Sequence, residues 1–161
     1  MDKTLLLINI ICGVIVLYFY YIYLSDLIKK NISMDKLWAN IKGGYRNIYI
    51  LSMLLCVISY LYIIYYLIFI DKEKNNLVLW GTIIFFIGAI LWTPFLYHYF
   101  INNMEKIYIY LALCLTSIGI ILLFIYLMNK GNMISKICIG IFLFHILILD
   151  NLIWSIKFES I

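Results

Sequence analysis

Five long runs of apolar residues, separated by short polar stretches, make up most of this chain. An α-helix crosses the hydrocarbon core of a bilayer with about 20 apolar residues. The runs have that length, and none alternates in polarity as the strands of a membrane barrel do. The pattern therefore predicts an all-α protein in one domain, residues 1–161, built as an integral membrane bundle of five transmembrane helices. These helices are expected at residues 4–24, 48–70, 77–100, 107–128 and 133–156.

The longest polar stretch, residues 25–47, separates the first two runs. Apolar side chains recur in it at near-helical spacing with lysines between them, and Gly43-Gly44 ends the pattern. One interpretation is an amphipathic helix that lies in the membrane interface, with Trp38 as its anchor. The alternative is an irregular loop whose apolar side chains touch lipid.

The composition supports a membrane protein and excludes several other classes. The chain is 66% hydrophobic and 12% charged, whereas soluble domains carry about 25% charged residues. The net charge is +4, but the 12 basic residues are spread over short loops. They form no basic stripe, so we expect the lipid bilayer as a partner and no nucleic acid. The cysteines have no metal-ligand spacing and are expected to pack as small apolar side chains: Cys12, Cys56, Cys114 and Cys138.

The basic residues also predict an orientation. With five crossings, the first loop, the third turn and the C-terminus share one side. That side holds seven basic residues: Lys29, Lys30, Lys36, Lys42, Arg46, Lys106 and Lys157. The other side holds five: Lys3, Lys72, Lys74, Lys130 and Lys136. Because basic residues favour the cytoplasmic side, we expect the first loop and the C-terminus to face the cytoplasm.

Asp150 is an acidic residue within the fifth run. Ionisable residues in membrane helices are costly and usually face the bundle interior. On an α-helix Trp154, four residues later, shares the face of Asp150, whereas His145, five residues earlier, points away from it. Two interpretations remain open. Asp150 forms the polar end of an intramembrane pocket, or it lies near the interface, where headgroup water or Lys157 pairs with it.

The third run contains Pro94, which is the only proline in the chain. A proline inside a helix removes one backbone hydrogen bond and bends the helix. The bend either opens a space that Trp92 lines or only improves packing while Trp92 faces lipid. In the fourth run, small and mildly polar residues predict a helix-packing patch: Thr116, Ser117 and Gly119.

The chain contains no recognisable catalytic pattern. It has no nucleophile elbow, no histidine pair at metal-ligand spacing, no Gly-rich phosphate loop and no row of carboxylates through successive helices. We therefore expect no enzyme activity and no bound metal.

The order of these motifs resembles the TspO/MBR family, the tryptophan-rich sensory proteins and translocator proteins. The third run, Gly88-Ala89-Ile90-Leu91-Trp92-Thr93-Pro94-Phe95, is similar to the family's Leu-Asn-x-x-Trp-x-Pro motif, with Gly88-Ala89 in place of Leu-Asn. The fifth run has Leu149-Asp150-Asn151-Leu152-Ile153-Trp154, where the family has a Leu-Asn-x-x-x-Trp stretch. Asp150 thus stands where the family has Asn.

This resemblance implies a pocket inside the five-helix bundle, closed by the first loop. Family members bind porphyrins in such a pocket, some bind sterols, and they tend to form homodimers. By the resemblance, a set of apolar and polar side chains would line or support the pocket: Trp92, Pro94, Phe142, Leu149, Asp150 and Trp154. Trp38 would lie in the lid. No cofactor is expected apart from a porphyrin-like or haem-like ligand.

The leading functional hypothesis is therefore a TspO-like membrane protein that binds or translocates a hydrophobic small molecule such as a porphyrin. An alternative is a structural or assembly component of a membrane that has no ligand. A further alternative is a small channel or transporter subunit, in which Asp150 and His145 line a hydrated path.

Overall fold

The computed structural model describes residues 2–71, 73 and 75–159, and it is helical throughout apart from short connections, with no strand in those ranges. Five helical segments are long and apolar enough to cross a membrane. The predicted all-α bundle of a multi-pass integral membrane protein is therefore confirmed. We label these segments α1 to α5: Lys3–Lys29, Gly43–Ile70, Asn76–Asn102, Ile107–Lys130 and Met133–Glu159.

Each spanning helix extends beyond the apolar run that predicted it. Two of them begin one residue before the apolar run, where a side chain caps the free backbone N–H groups. Asp2 caps α1 by accepting hydrogen bonds from the backbone N–H groups of Thr4 and Leu5. Asn75 caps α3 in the same way, at the backbone N–H of Leu77. The helices therefore include polar residues that the hydrophobic pattern had assigned to the turns.

The first loop is not one amphipathic helix over residues 25–47. Its first residues continue α1 to Lys29, and α2 already begins at Gly43. A short helix, Met34–Leu37, lies between them, and three residues with positive φ turn the chain around it: Asn31, Ala39 and Asn40. Leu37, Ala39 and Ile41 are buried in the protein. The apolar side chains of the loop therefore pack onto the end of the bundle.

The five spanning helices form a ring. Helix α1 packs against α3, α3 against α4, α4 against α5, and α5 against α2. The principal contacts between α1 and α2 lie at the end away from the first loop. There the Asp2 N–H donates to the Ile68 carbonyl at 3.1 Å, and the Tyr60 hydroxyl donates to Asn9. The ring is consequently packed least closely between α1 and α2 at the first-loop end.

Glycines allow α3 and α4 to approach closely. A Cβ atom on Gly88 would lie 2.5 Å from the Ala112 carbonyl oxygen and 2.6 Å from the Thr116 backbone nitrogen. A Cβ atom on Gly119 would lie 2.6 Å from the Gly81 carbonyl oxygen. Small residues at membrane helix interfaces have this effect because they let the backbones pack directly. The helix-packing patch predicted in the fourth run is confirmed.

Polar side chains join the elements at the first-loop end. The Tyr97 hydroxyl of α3 donates to Asp26 Oδ2 of α1 at 2.7 Å, and the Lys30 ammonium donates to the Tyr97 oxygen at 2.5 Å. The Lys30 ammonium also pairs with Asp26 Oδ2 at 3.0 Å. The hydrogen bonds of Lys30, to Tyr97 first and to Asp26 second, raise the pKa of Lys30. The Lys106 ammonium donates to the Phe158 carbonyl at 3.4 Å, which ties the start of α4 to the end of α5.

Candidate ligand site

An aromatic cluster lies at the first-loop end of the bundle, with rings from three helices. The Trp92 ring of α3 lies 5.6 Å from the Tyr20 ring of α1 and 5.8 Å from the Trp154 ring of α5, measured between centroids. Trp154 stacks on Phe158 at 4.4 Å. We call Tyr20, Trp92, Trp154 and Phe158 the aromatic cluster. It brings together the two tryptophans that the sequence had singled out on separate helices.

The indole N–H of Trp92 has no hydrogen-bond partner among the described residues, although the nitrogen atom is buried. The neighbouring Thr93 hydroxyl is also buried without such a partner. Buried polar groups are nearly always hydrogen-bonded, so each exception calls for an explanation. The Trp92 N–H is therefore a donor that the described residues leave unused.

The first loop contacts the aromatic cluster through its backbone. The Trp154 indole N–H donates to the Leu37 carbonyl oxygen at 3.2 Å. Trp38 packs edge-on against Tyr49 of α2 at 5.9 Å, with the Arg46 guanidinium 5.1 Å from its ring. The loop thus contacts α5 through Leu37 and α2 through Trp38. Leu37 makes the contact with Trp154, while Trp38 lies against α2.

A polar cluster connects α2 and α5 within the membrane-spanning region. The Tyr49 hydroxyl donates to Asp150 Oδ1 at 2.8 Å. His145 Nδ1 lies 3.0 Å from the Ser52 hydroxyl, and His145 Nε2 lies 3.7 Å from Asp150 Oδ2. We call Tyr49, Ser52, His145 and Asp150 the polar cluster. Asp150 therefore has side-chain partners on α2 and α5 inside the bundle.

The prediction that His145 points away from Asp150 is wrong. It assumed an α-helix, but residues His145–Trp154 form a π-helix. In a π-helix the backbone hydrogen bonds join residues five apart, so residues five apart lie close to one another on one face. The two side chains consequently share the face that packs on α2.

The aromatic and polar clusters are neighbours. Tyr20 of the aromatic cluster is within electrostatic range of Asp150, and so is the buried Cys56 of α2. Asp150 keeps 27% of its side-chain surface exposed, although it lies in a membrane-spanning helix. The carboxylate is therefore not fully covered by the packing of the described residues.

Three other predicted site residues belong to neither the aromatic cluster nor the polar cluster. Leu149 is buried in the same apolar core as Trp154. Pro94 lies within the continuous helix α3, one residue past the buried Thr93. Phe142 belongs to a separate core, where its ring lies 5.6 Å from Tyr60 and 5.5 Å from Phe85. It precedes Trp154 by 12 residues, and the structure does not bring it to the aromatic cluster.

Sequence reasoning missed four residues of the two clusters: Tyr20, Tyr49, Ser52 and Phe158. Tyrosine is frequent in the first two runs, so no spacing distinguishes Tyr20 or Tyr49 from the others. A signal for Tyr49 was nevertheless present, since a buried carboxylate needs a hydrogen-bond donor from a neighbouring helix.

Comparisons with known proteins add no relative. No family model, curated protein or solved structure matches the chain.

Proposed function

We propose that this chain is a TspO-like membrane protein that binds or translocates a hydrophobic small molecule, such as a porphyrin, between α1, α3 and α5 beneath the first loop. One observation carries the proposal. The Trp92 ring lies between Tyr20 and Trp154, and its buried indole N–H lacks a partner among the described residues.

The chemistry of the site suits a flat apolar ligand. Binding sites for small molecules are mostly apolar and aromatic, with a few polar groups that fix the orientation of the ligand. The aromatic cluster offers ring faces for stacking, and the Trp92 N–H offers one directed donor. The polar cluster lies beside it and offers a carboxylate. The excess of basic residues on the first-loop side supports a cytoplasmic position for that side.

Titration with a porphyrin dimethyl ester, which carries no ionised side chain, tests this proposal. We expect saturable quenching of tryptophan fluorescence in detergent micelles. Trp92→Phe removes both the indole face and the N–H donor, so we expect it to weaken binding about tenfold, the effect of losing about 1.4 kcal/mol. Trp80→Phe is the matched control. It lies on the same helix with 58% of its surface exposed, and its replacement should leave the affinity unchanged.

Two results would contradict the proposal. Quenching that does not saturate would indicate partition into the micelle, and would favour a structural or assembly component without a ligand. Equal affinities for the wild type, the Trp92→Phe variant and the Trp154→Phe variant would place the ligand away from the aromatic cluster.

A further inference from the structure

We propose that Asp150 makes this site selective for a lipophilic organic cation, a molecule with a protonated amine on an apolar body. The inference rests on the proposed function, and it adds the charge of the ligand. Three features of the structure support it: the incomplete hydrogen bonding of the carboxylate, the identity of its charged neighbour, and the rings around it.

The Asp150 carboxylate has acceptor capacity left over. An ionised carboxylate has about four acceptor positions on its two oxygens. Oδ1 accepts from the Tyr49 hydroxyl at 2.8 Å. Oδ2 lies 3.7 Å from His145 Nε2, which is too far for a hydrogen bond. Since 27% of the side chain is exposed, a ligand ammonium group can reach the carboxylate and donate to Oδ2.

Among the described residues, the carboxylate also has no permanently charged positive partner. Acidic residues within membrane helices normally pair with a positive group, because an isolated charge there is costly. Among the described residues, the basic group found beside Asp150 is His145, which is charged only when protonated. Three other titratable groups near Asp150 are neutral or negative and never carry a positive charge: Tyr20 on α1, and Tyr49 and Cys56 on α2. A cationic ligand would supply the missing positive charge.

The rings near the carboxylate favour an organic cation over a metal ion. Ammonium groups are attracted to the faces of tryptophan and tyrosine rings. Tyr49, which bonds to the acid, and Tyr20, whose ring contacts Trp92, provide such faces. A metal ion needs several oxygen, nitrogen or sulfur ligands. In the described part of the chain, no three His, Cys, Asp or Glu side chains are grouped to hold one. At this end α1 and α2 are not closely packed against each other.

A matched pair of probes tests the charge preference. 1-Pyrenemethylamine and 1-pyrenemethanol share a flat aromatic body, and only the first is charged at neutral pH. Energy transfer from tryptophan to pyrene reports binding in zwitterionic micelles, after subtraction of partition into protein-free micelles. We expect the amine to bind at least about tenfold more tightly than the alcohol, since a hydrogen bond to a charged group is worth about 1.5–3 kcal/mol.

The variants separate Asp150 from a general effect of charge. Asp150→Asn keeps the shape and an acceptor for Tyr49, and it should reduce the amine-to-alcohol affinity ratio to about one. Asp26→Asn is the control, because it removes the same charge from the outer end of α1, where Asp26 bonds to Tyr97. It should leave the ratio unchanged. If Asp150→Asn does not fold, equal affinities of the two probes for the wild type would still overturn the inference.

The outcomes distinguish the inference from the function on which it rests. Saturable binding of both probes with equal affinity in the wild type overturns the cation selectivity and leaves the hydrophobic site intact. A preference for the amine that persists in Asp150→Asn overturns the role of Asp150. Failure of both probes and of the porphyrin ester to bind saturably overturns the proposed function itself.

Discussion

Replacing Trp154 with alanine is expected to lower the free energy of unfolding by about 3–5 kcal/mol, the usual cost of truncating a buried aromatic side chain to alanine. Trp154 is 5% exposed. Its ring stacks on Phe158 and meets Trp92, and its N–H donates to the Leu37 carbonyl. The variant would lose all of these contacts and leave the Leu37 carbonyl without its donor.

Unfolding by SDS in mixed micelles, followed by far-UV circular dichroism, measures this loss of stability. Hydrogen exchange should report a second effect, faster exchange of backbone amides in residues 30–42, since the loop loses its bond to α5. Trp80→Ala is the control, because Trp80 is 58% exposed, and it should change stability by less than about 1 kcal/mol. Equal stabilities for the two variants would show that Trp154 does not hold the loop and α5 together.

Replacing Gly119 with leucine is expected to have the other large effect. A Cβ atom at this position would lie 2.6 Å from the Gly81 carbonyl oxygen and 2.7 Å from the Phe85 Cα atom. Backbone atoms cannot rotate away as side chains do, so α3 and α4 must separate. We expect the free energy of unfolding to fall by about 3 kcal/mol or more, which is the upper end of the range for overpacked cores.

The fifth helix provides a control for this substitution. Gly140 lies within α5, and a Cβ atom there would meet nothing within 4 Å. Gly140→Leu should therefore fold with nearly unchanged stability in the same SDS titration. Comparable destabilisation of the two variants would contradict the close crossing of α3 and α4.

The architecture was predictable because the bilayer imposes it. A chain with five apolar runs of sufficient length must satisfy its backbone hydrogen bonds inside each segment, and the helix is the solution for a continuous apolar run. Helix ends were less predictable, because the caps Asp2 and Asn75 are polar residues outside the apolar runs. The first loop was predictable only in part, since its alternation of lysines and apolar residues fits both lipid contact and packing onto the bundle.

The candidate site, like the fold, was predictable only in part. Trp92 and Trp154 were identified from motif spacing, and the structure brings them together. The contact between His145 and Asp150 was mispredicted, because spacing alone cannot show that a helix changes from α to π. Tyr20 and Tyr49 were missed because their roles depend on which helices are neighbours. Phe142 was assigned by resemblance alone, and it packs in a different core.

Photoaffinity labelling tests the central claim, that a hydrophobic ligand binds between α1, α3 and α5 beneath the first loop. A porphyrin ester bearing a diazirine would be photolysed with the protein in micelles, and the labelled peptides would be mapped by mass spectrometry. We predict labels on peptides containing Tyr20, Trp92 and Trp154, and their loss when excess unlabelled ester is added. Labelling spread over lipid-facing positions such as Trp80, and unchanged by the competitor, would contradict the claim.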